Sequence, residues 1–117
     1  MRGLSTHALD ISAGGPAAGM TIAFYKHEGG SYRLAKTLVT NVEGRTDELF
    51  LDASSMAIGR YQLVFHVGDY FASRGIALET PRFFDRVPVR FAIAAPHEHY
   101  HVPILVAPWG YTAYRGS

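Results

Sequence analysis

The chain has 117 residues, 48% of them hydrophobic, with Lys+Arg 11 against Asp+Glu 10, which suits one domain of roughly 100–150 residues and leaves no room for a second. A formal net charge of +1 excludes a phosphate backbone as partner, and 18% charged residues exclude a disordered profile. The lack of cysteine excludes disulfides, a thiolate nucleophile and Cys-ligated metal. No stretch reaches the ~18 consecutive apolar residues of a membrane span, so no membrane partner is expected. Met1-Arg2-Gly3-Leu4-Ser5 lacks the basic-then-apolar form of a signal peptide, and a cytoplasmic protein is expected.

Along the chain, Gly and Pro cut the sequence into strand-length pieces. Leu4–Leu9 is a weak strand candidate. Met20–Lys26 alternates cleanly, with Met20, Ile22 and Phe24 on one face; Arg33–Thr40 alternates less well, and Glu48–Leu51 is a short candidate. In Arg60–Val67, Tyr61, Leu63, Phe65 and Val67 share a face. One helix is expected: Asp69 caps Tyr70–Arg74, and Gly75 supplies a left-handed stop. Val87–Ile93 alternates again, with Pro88 near its start pointing to an edge or an entry position. Tyr100–Ala107 places Tyr100, Val102, Ile104 and Val106 opposite His101, Pro103, Leu105 and Ala107. Pro108-Trp109-Gly110 then turns it into a terminal hairpin whose second strand, from Tyr111, runs to Ser117. About eight strands and one short helix predict an antiparallel β-sandwich or barrel. So small a sandwich is expected to associate through an edge strand or an aromatic face.

The chemistry rests on six histidines. His97, His99 and His101 would share a face of an extended strand. Residues two apart are about 6.6 Å apart and residues four apart about 13 Å, so one strand cannot easily bring all three to one ion. A two-histidine metal site completed by His7 or a carboxylate stays open, beside the plainer reading of His97 and His99 as solvated imidazoles. His101 lies in an apolar strand, where an imidazole needs a hydrogen-bond partner or a function. His7 reads as an ordinary strand histidine, His27 as a turn residue and His66 as strand surface. Arg45 is either a solvated loop arginine pairing with Asp47 or a planar fork for an anionic or carbonyl-rich ligand. No phosphate loop, dinucleotide glycine fingerprint, zinc helix or serine elbow appears.

Three stretches, LSTHALD with GGPAAGM, EGRTD, and HYHVPILVAPWGYTAYRGS, resemble the 5-hydroxyisourate hydrolases of the transthyretin-like family, and the likeness spans nearly the whole chain. The resemblance implies an all-β, two-sheet antiparallel sandwich with one short helix, built as a homotetramer, a dimer of dimers, with active sites in the channel between dimers. It implies hydrolysis of 5-hydroxyisourate, a small-molecule substrate, at its N1–C6 amide to 2-oxo-4-hydroxy-4-carboxy-5-ureidoimidazoline, in urate degradation. Carried over by position, the catalytic residues are His7, Arg45, His101 and Ser117. The substrate-binding residues are His7, Arg45, Tyr114, Arg115 and Gly116, and neither metal nor cofactor is called for. Ile11-Ser12-Ala13-Gly14 departs from the family pattern in a loop. Which histidine is base and which acid stays open. The alternatives are a transthyretin-like module that binds aromatic ligands, and a His-ligated metalloenzyme.

Overall fold

The computed structural model describes residues 2–117. Its strands are β1 (Leu4–Asp10), β2 (Gly15–Pro16), β3 (Thr21–Glu28), β4 (Ser31–Val39), β5 (Gly59–His66), β6 (Arg86–Ile93), β7 (Tyr100–Ala107) and β8 (Gly110–Ala113), with one helix, α1 (Val67–Ser73), between β5 and β6. They form two four-stranded sheets, ordered β2-β1-β7-β8 and β4-β3-β5-β6. The period-two pattern decides the faces. Along β1, Leu4, Thr6, Ala8 and Asp10 are buried while Ser5, His7 and Leu9 are only partly so. Along β7, Tyr100, Val102, Ile104 and Val106 face the core. The core joins both sheets through Phe24, Phe50, Phe65, Phe71, Leu4 and Ile104, and this apolar burial is the main stabilising term. No helix among the described residues is long and apolar enough to cross a membrane.

The sandwich agrees with the expected fold class, and Pro88 does lie on an edge strand, β6. One pairing departs from the antiparallel pattern: β1 runs parallel to β7, with Ser5 opposite His101 and His7 opposite Pro103. The intervening chain builds the second sheet before β7 returns, and alternation within a strand carries no information about that direction. Glu48–Leu51 forms only an isolated pairing of Leu51 with Leu4. His27 lies within β3, its ring edge-on to Tyr32, rather than in the turn that follows.

The expected helix cap is corrected. Asp69 sits inside the first turn of α1, and His66 precedes the helix without a side-chain cap. The Gly68 N–H is satisfied by the Asp85 carbonyl at 2.9 Å. Asp69 instead accepts from Arg82 Nη1 at 2.6 Å, still favourable near a helix N-terminus. The C-terminal stop is as expected: Gly75 has φ +79°, its N–H donates to the Ala72 carbonyl and the Ile76 N–H to that of Phe71, a Schellman arrangement. The helix is tied to the other sheet by the Tyr70 hydroxyl, which donates to buried Asp10 at 2.8 Å. Burial would raise the Asp10 pKa. Hydrogen bonds from Ser12, Tyr70 and the Ser12 and Ala13 N–H groups outweigh it and hold the carboxylate below its ordinary range.

Candidate active site

The outer face of β1 and β7 carries the alternate residues that the core does not use. A cavity of about 550 Å³ opens there, lined by Ser5, His7, Arg45, His99, His101, Tyr114, Gly116 and Ser117 among others. Sequence separations of nearly the whole chain are thus brought together by the β1–β7 register and by two segments folded over it.

The first segment is the Asn41–Arg45 turn. The Asn41 side-chain oxygen accepts from the Glu43 N–H at 2.9 Å and the Arg45 N–H at 3.2 Å. The Ala8 N–H donates to the Gly44 carbonyl at 2.8 Å, which stitches the turn to β1. Gly44 has φ +77°, and a Cβ there would run into the Ala8 carbonyl oxygen, so glycine is required. The turn places the Glu43 carbonyl 2.8 Å from His7 Nε2. A carbonyl only accepts, so His7 carries a proton on Nε2 and, when neutral, a lone pair on Nδ1. Asp47 accepts from the Asn41 amide, and Arg45 makes no ion pair among the described residues. Its guanidinium is left for the cavity.

The second feature is a pair of imidazoles joined by a hydroxyl. Ser5 Oγ lies 2.8 Å from His101 Nδ1 and 3.0 Å from His99 Nε2. Burial, aided by the charge of Arg45 and by His99 and His7, pushes the His101 pKa below the ordinary imidazole value, which keeps it neutral at neutral pH. The reading of His99 as a solvated imidazole is therefore corrected: it is half-buried, it lines the cavity, and its Nδ1 is buried without a partner. His97 does stay in a turn before β7, its side chain 76% exposed, so the three histidines never share a strand face. Among the described residues no three His, Asp or Glu side chains converge as a metal cluster would. His66, read as strand surface, is half-buried, and burial first and Arg86 second lower its pKa.

The tail supplies the third wall, though not as an unbroken strand: β8 ends at Ala113. Beyond it the chain keeps the same antiparallel register beside β7 through an isolated bridge, with the Gly116 N–H donating to the His101 carbonyl at 2.8 Å. A Cβ at Gly116 would lie 3.0 Å from His101 Cδ2 and 3.2 Å from Pro103 Cγ, so a glycine lets the tail lie flat on His101. Tyr114 and Ser117 line the cavity, whereas Arg115 does not. The Arg115 guanidinium reaches Glu98 Oε1 at 3.0 Å and stacks 4.0 Å over the Tyr100 ring, clamping the tail to the segment that carries His99. Ser5 has no assigned role in the sequence reading, and His99 enters it only as a metal-ligand candidate or a solvated imidazole. The signal available was the period of two, which puts Ser5 and His7 on one face, but only the inter-strand register sets Ser5 against His101.

A model of the HIUase/Transthyretin family matches residues 4–116. A protein of Rhizobium meliloti (strain 1021) named 5-hydroxyisourate hydrolase 2 is 48% identical over 114 residues, covering 97% of this chain and 95% of its own length. Among solved structures, the Klebsiella pneumoniae 5-hydroxyisourate hydrolase is 39% identical with TM-score 0.80, covering 97% of this chain and 98% of that one. An (S)-allantoin synthase is 38% identical with TM-score 0.89; the match covers 97% of this chain and 43% of the synthase. A sea bream transthyretin solved in complex with thyroxine is 25% identical with TM-score 0.85, covering 97% of this chain and 93% of that one.

Proposed function

The chain belongs to the HIUase/Transthyretin family, and on that footing we propose that it hydrolyses 5-hydroxyisourate at the cavity on the outer face of β1 and β7. The observation that carries this reading is the meeting of two histidines and an unpaired arginine, His7, His101 and Arg45, in one cavity, in a chain 48% identical to a relative named for that hydrolysis.

Opening a cyclic amide requires an activated water, stabilisation of charge on the carbonyl oxygen, and a proton for the departing nitrogen. Water oxygen bonds to C6 as an imidazole takes up one water proton and charge moves onto the carbonyl oxygen; the C6–N1 bond then breaks as N1 receives a proton, giving 2-oxo-4-hydroxy-4-carboxy-5-ureidoimidazoline. The free Nδ1 of His7 suits the proton from water. Arg45 presents a planar fork to adjacent oxygens of the ring and offsets oxyanion charge. Tyr114, Gly116 and Ser117 close one side of the pocket, with Ser117 bonding substrate through its hydroxyl.

A dimer of dimers belongs to the same proposal. The edge strands β6 and β8 each lack a partner on one side. Ile11, Trp109 and Tyr111 are 58%, 58% and 42% exposed, an apolar surface suited to burial against a neighbour. Sedimentation equilibrium reads that state, and fractionation reads the proposed cytoplasmic location. The hydrolytic reading is tested by following ultraviolet loss of freshly generated 5-hydroxyisourate. Decay faster than the spontaneous rate, in proportion to protein and indifferent to chelator, is expected. Binding without consumption would mark a carrier instead.

A further inference from the structure

We propose that Ser5 is a positioning residue: with His99 it holds His101 as a neutral imidazole whose single proton is on Nε2. His101 is then a fixed hydrogen-bond donor, and His7 is the proton carrier. The inference rests on the hydrolytic reading of the site and goes beyond it by assigning the protons.

A serine hydroxyl has one proton. Set between His101 Nδ1 at 2.8 Å and His99 Nε2 at 3.0 Å, it satisfies two neutral rings only by donating to one and accepting from the other. One ring must bring an N–H and the other a lone pair. His99 breaks the symmetry, because its remaining nitrogen, Nδ1, is buried with no partner. A proton on Nδ1 would orphan a buried N–H, which folded proteins tolerate less readily than an under-used acceptor. The His99 proton therefore sits on Nε2 and donates to Ser5 Oγ, and the Ser5 proton goes to His101 Nδ1. His101 is left with Nε2–H as its only donor. The tail fixes the same ring from its other side, since Gly116 lies against Cδ2.

His7 has the opposite arrangement. Its Nε2–H is committed to the Glu43 carbonyl, and a lone pair remains on Nδ1. Two residues of one type thus offer a donor and an acceptor to the same cavity. In the reaction, the water proton passes to His7 Nδ1 as oxygen bonds to C6, and the same proton passes to N1 as C6–N1 breaks. His101 keeps its proton throughout and hydrogen-bonds the oxygen on which charge develops, a task a neutral imidazole performs without proton transfer.

The test is nitrogen NMR of histidine-labelled wild-type protein near neutral pH, with resonances assigned by single-histidine substitutions. Expected are an unprotonated Nδ1 and a protonated Nε2 for His101, and a protonated Nε2 for His99. A proton on His101 Nδ1 would overturn the proposal. Ser5→Ala is expected to lower kcat by about tenfold to a hundredfold, the usual cost of losing an orienting partner, with KM nearly unchanged and a mixture of His101 tautomers. Ser5→Thr, which keeps the hydroxyl, should restore most of kcat, and wild-type kcat in Ser5→Ala would refute the role. The NMR reading is taken on the wild-type protein and needs no turnover, so failure of the hydrolytic assay and failure of the tautomer assignment are separate results.

Discussion

Gly44→Ala perturbs the site without touching any group that meets substrate. The left-handed backbone at φ +77° costs an L-residue about 1–2 kcal/mol. The new methyl group also collides with the Ala8 carbonyl, which cannot yield because Ala8 is fully buried in the middle of β1; overpacking of this kind costs about 1–3 kcal/mol. The sum is about 2–5 kcal/mol. Gly75→Ala is the internal control. It has φ +79° with no atom within 4 Å of the added Cβ, so it should lose only the backbone part, about 1–2 kcal/mol. Urea unfolding midpoints at equal m-values give the difference. Because the turn carries both Arg45 and the carbonyl that orients His7, Gly44→Ala should also lower turnover about tenfold to a hundredfold, as a misplaced catalytic group does, while Gly75→Ala stays active. Equal stability losses in the two variants, with full turnover in both, would refute this account of the turn.

Arg115→Ala should lower turnover in a folded protein by freeing the tail from Glu98 and Tyr100, and removal of Arg115-Gly116-Ser117 should do so further; a fully active truncation would contradict the tail's role. Tyr70→Phe removes a donor to a buried carboxylate and should cost about 1.5–3 kcal/mol by denaturant unfolding, with kcat unchanged. His66 and His101 both have pKa values below the ordinary 6.5, so in acid the unfolded chain binds more protons than the folded one. The stability they contribute is present above 6.5 and is lost as pH falls through their folded values. Tm should fall on acidification, and less steeply in the His66→Gln, His101→Gln double variant.

The fold was legible because its signal is local. Alternation in β3, β5, β6 and β7 names both the strands and the faces that go inward. What alternation cannot express is partnership. The parallel β1–β7 register pairs residues 96 apart in the chain, and without it Ser5 cannot be set against His101. For the same reason Asp69 looked like a cap, since its competing partner Arg82 comes from a loop thirteen residues on. Of the site, His7, Arg45, His101, Tyr114, Gly116 and Ser117 were legible through the family resemblance, His7 and Arg45 having ordinary readings on their residues alone, and the six share one cavity. Arg115 was legible as a tail residue, but the pairing of Gly116 with His101 sets it beside the segment before β7, where its side chain meets Glu98 and Tyr100 instead of the cavity.

The most direct test of the site is the turnover of freshly generated 5-hydroxyisourate by His7→Ala, Arg45→Ala and His101→Ala beside the wild-type chain, each checked for an unchanged β-sheet spectrum. Each variant is expected to lose at least about a hundredfold, the low end for removing a group that handles protons or developing charge. Wild-type turnover in a folded His101→Ala protein would contradict the account.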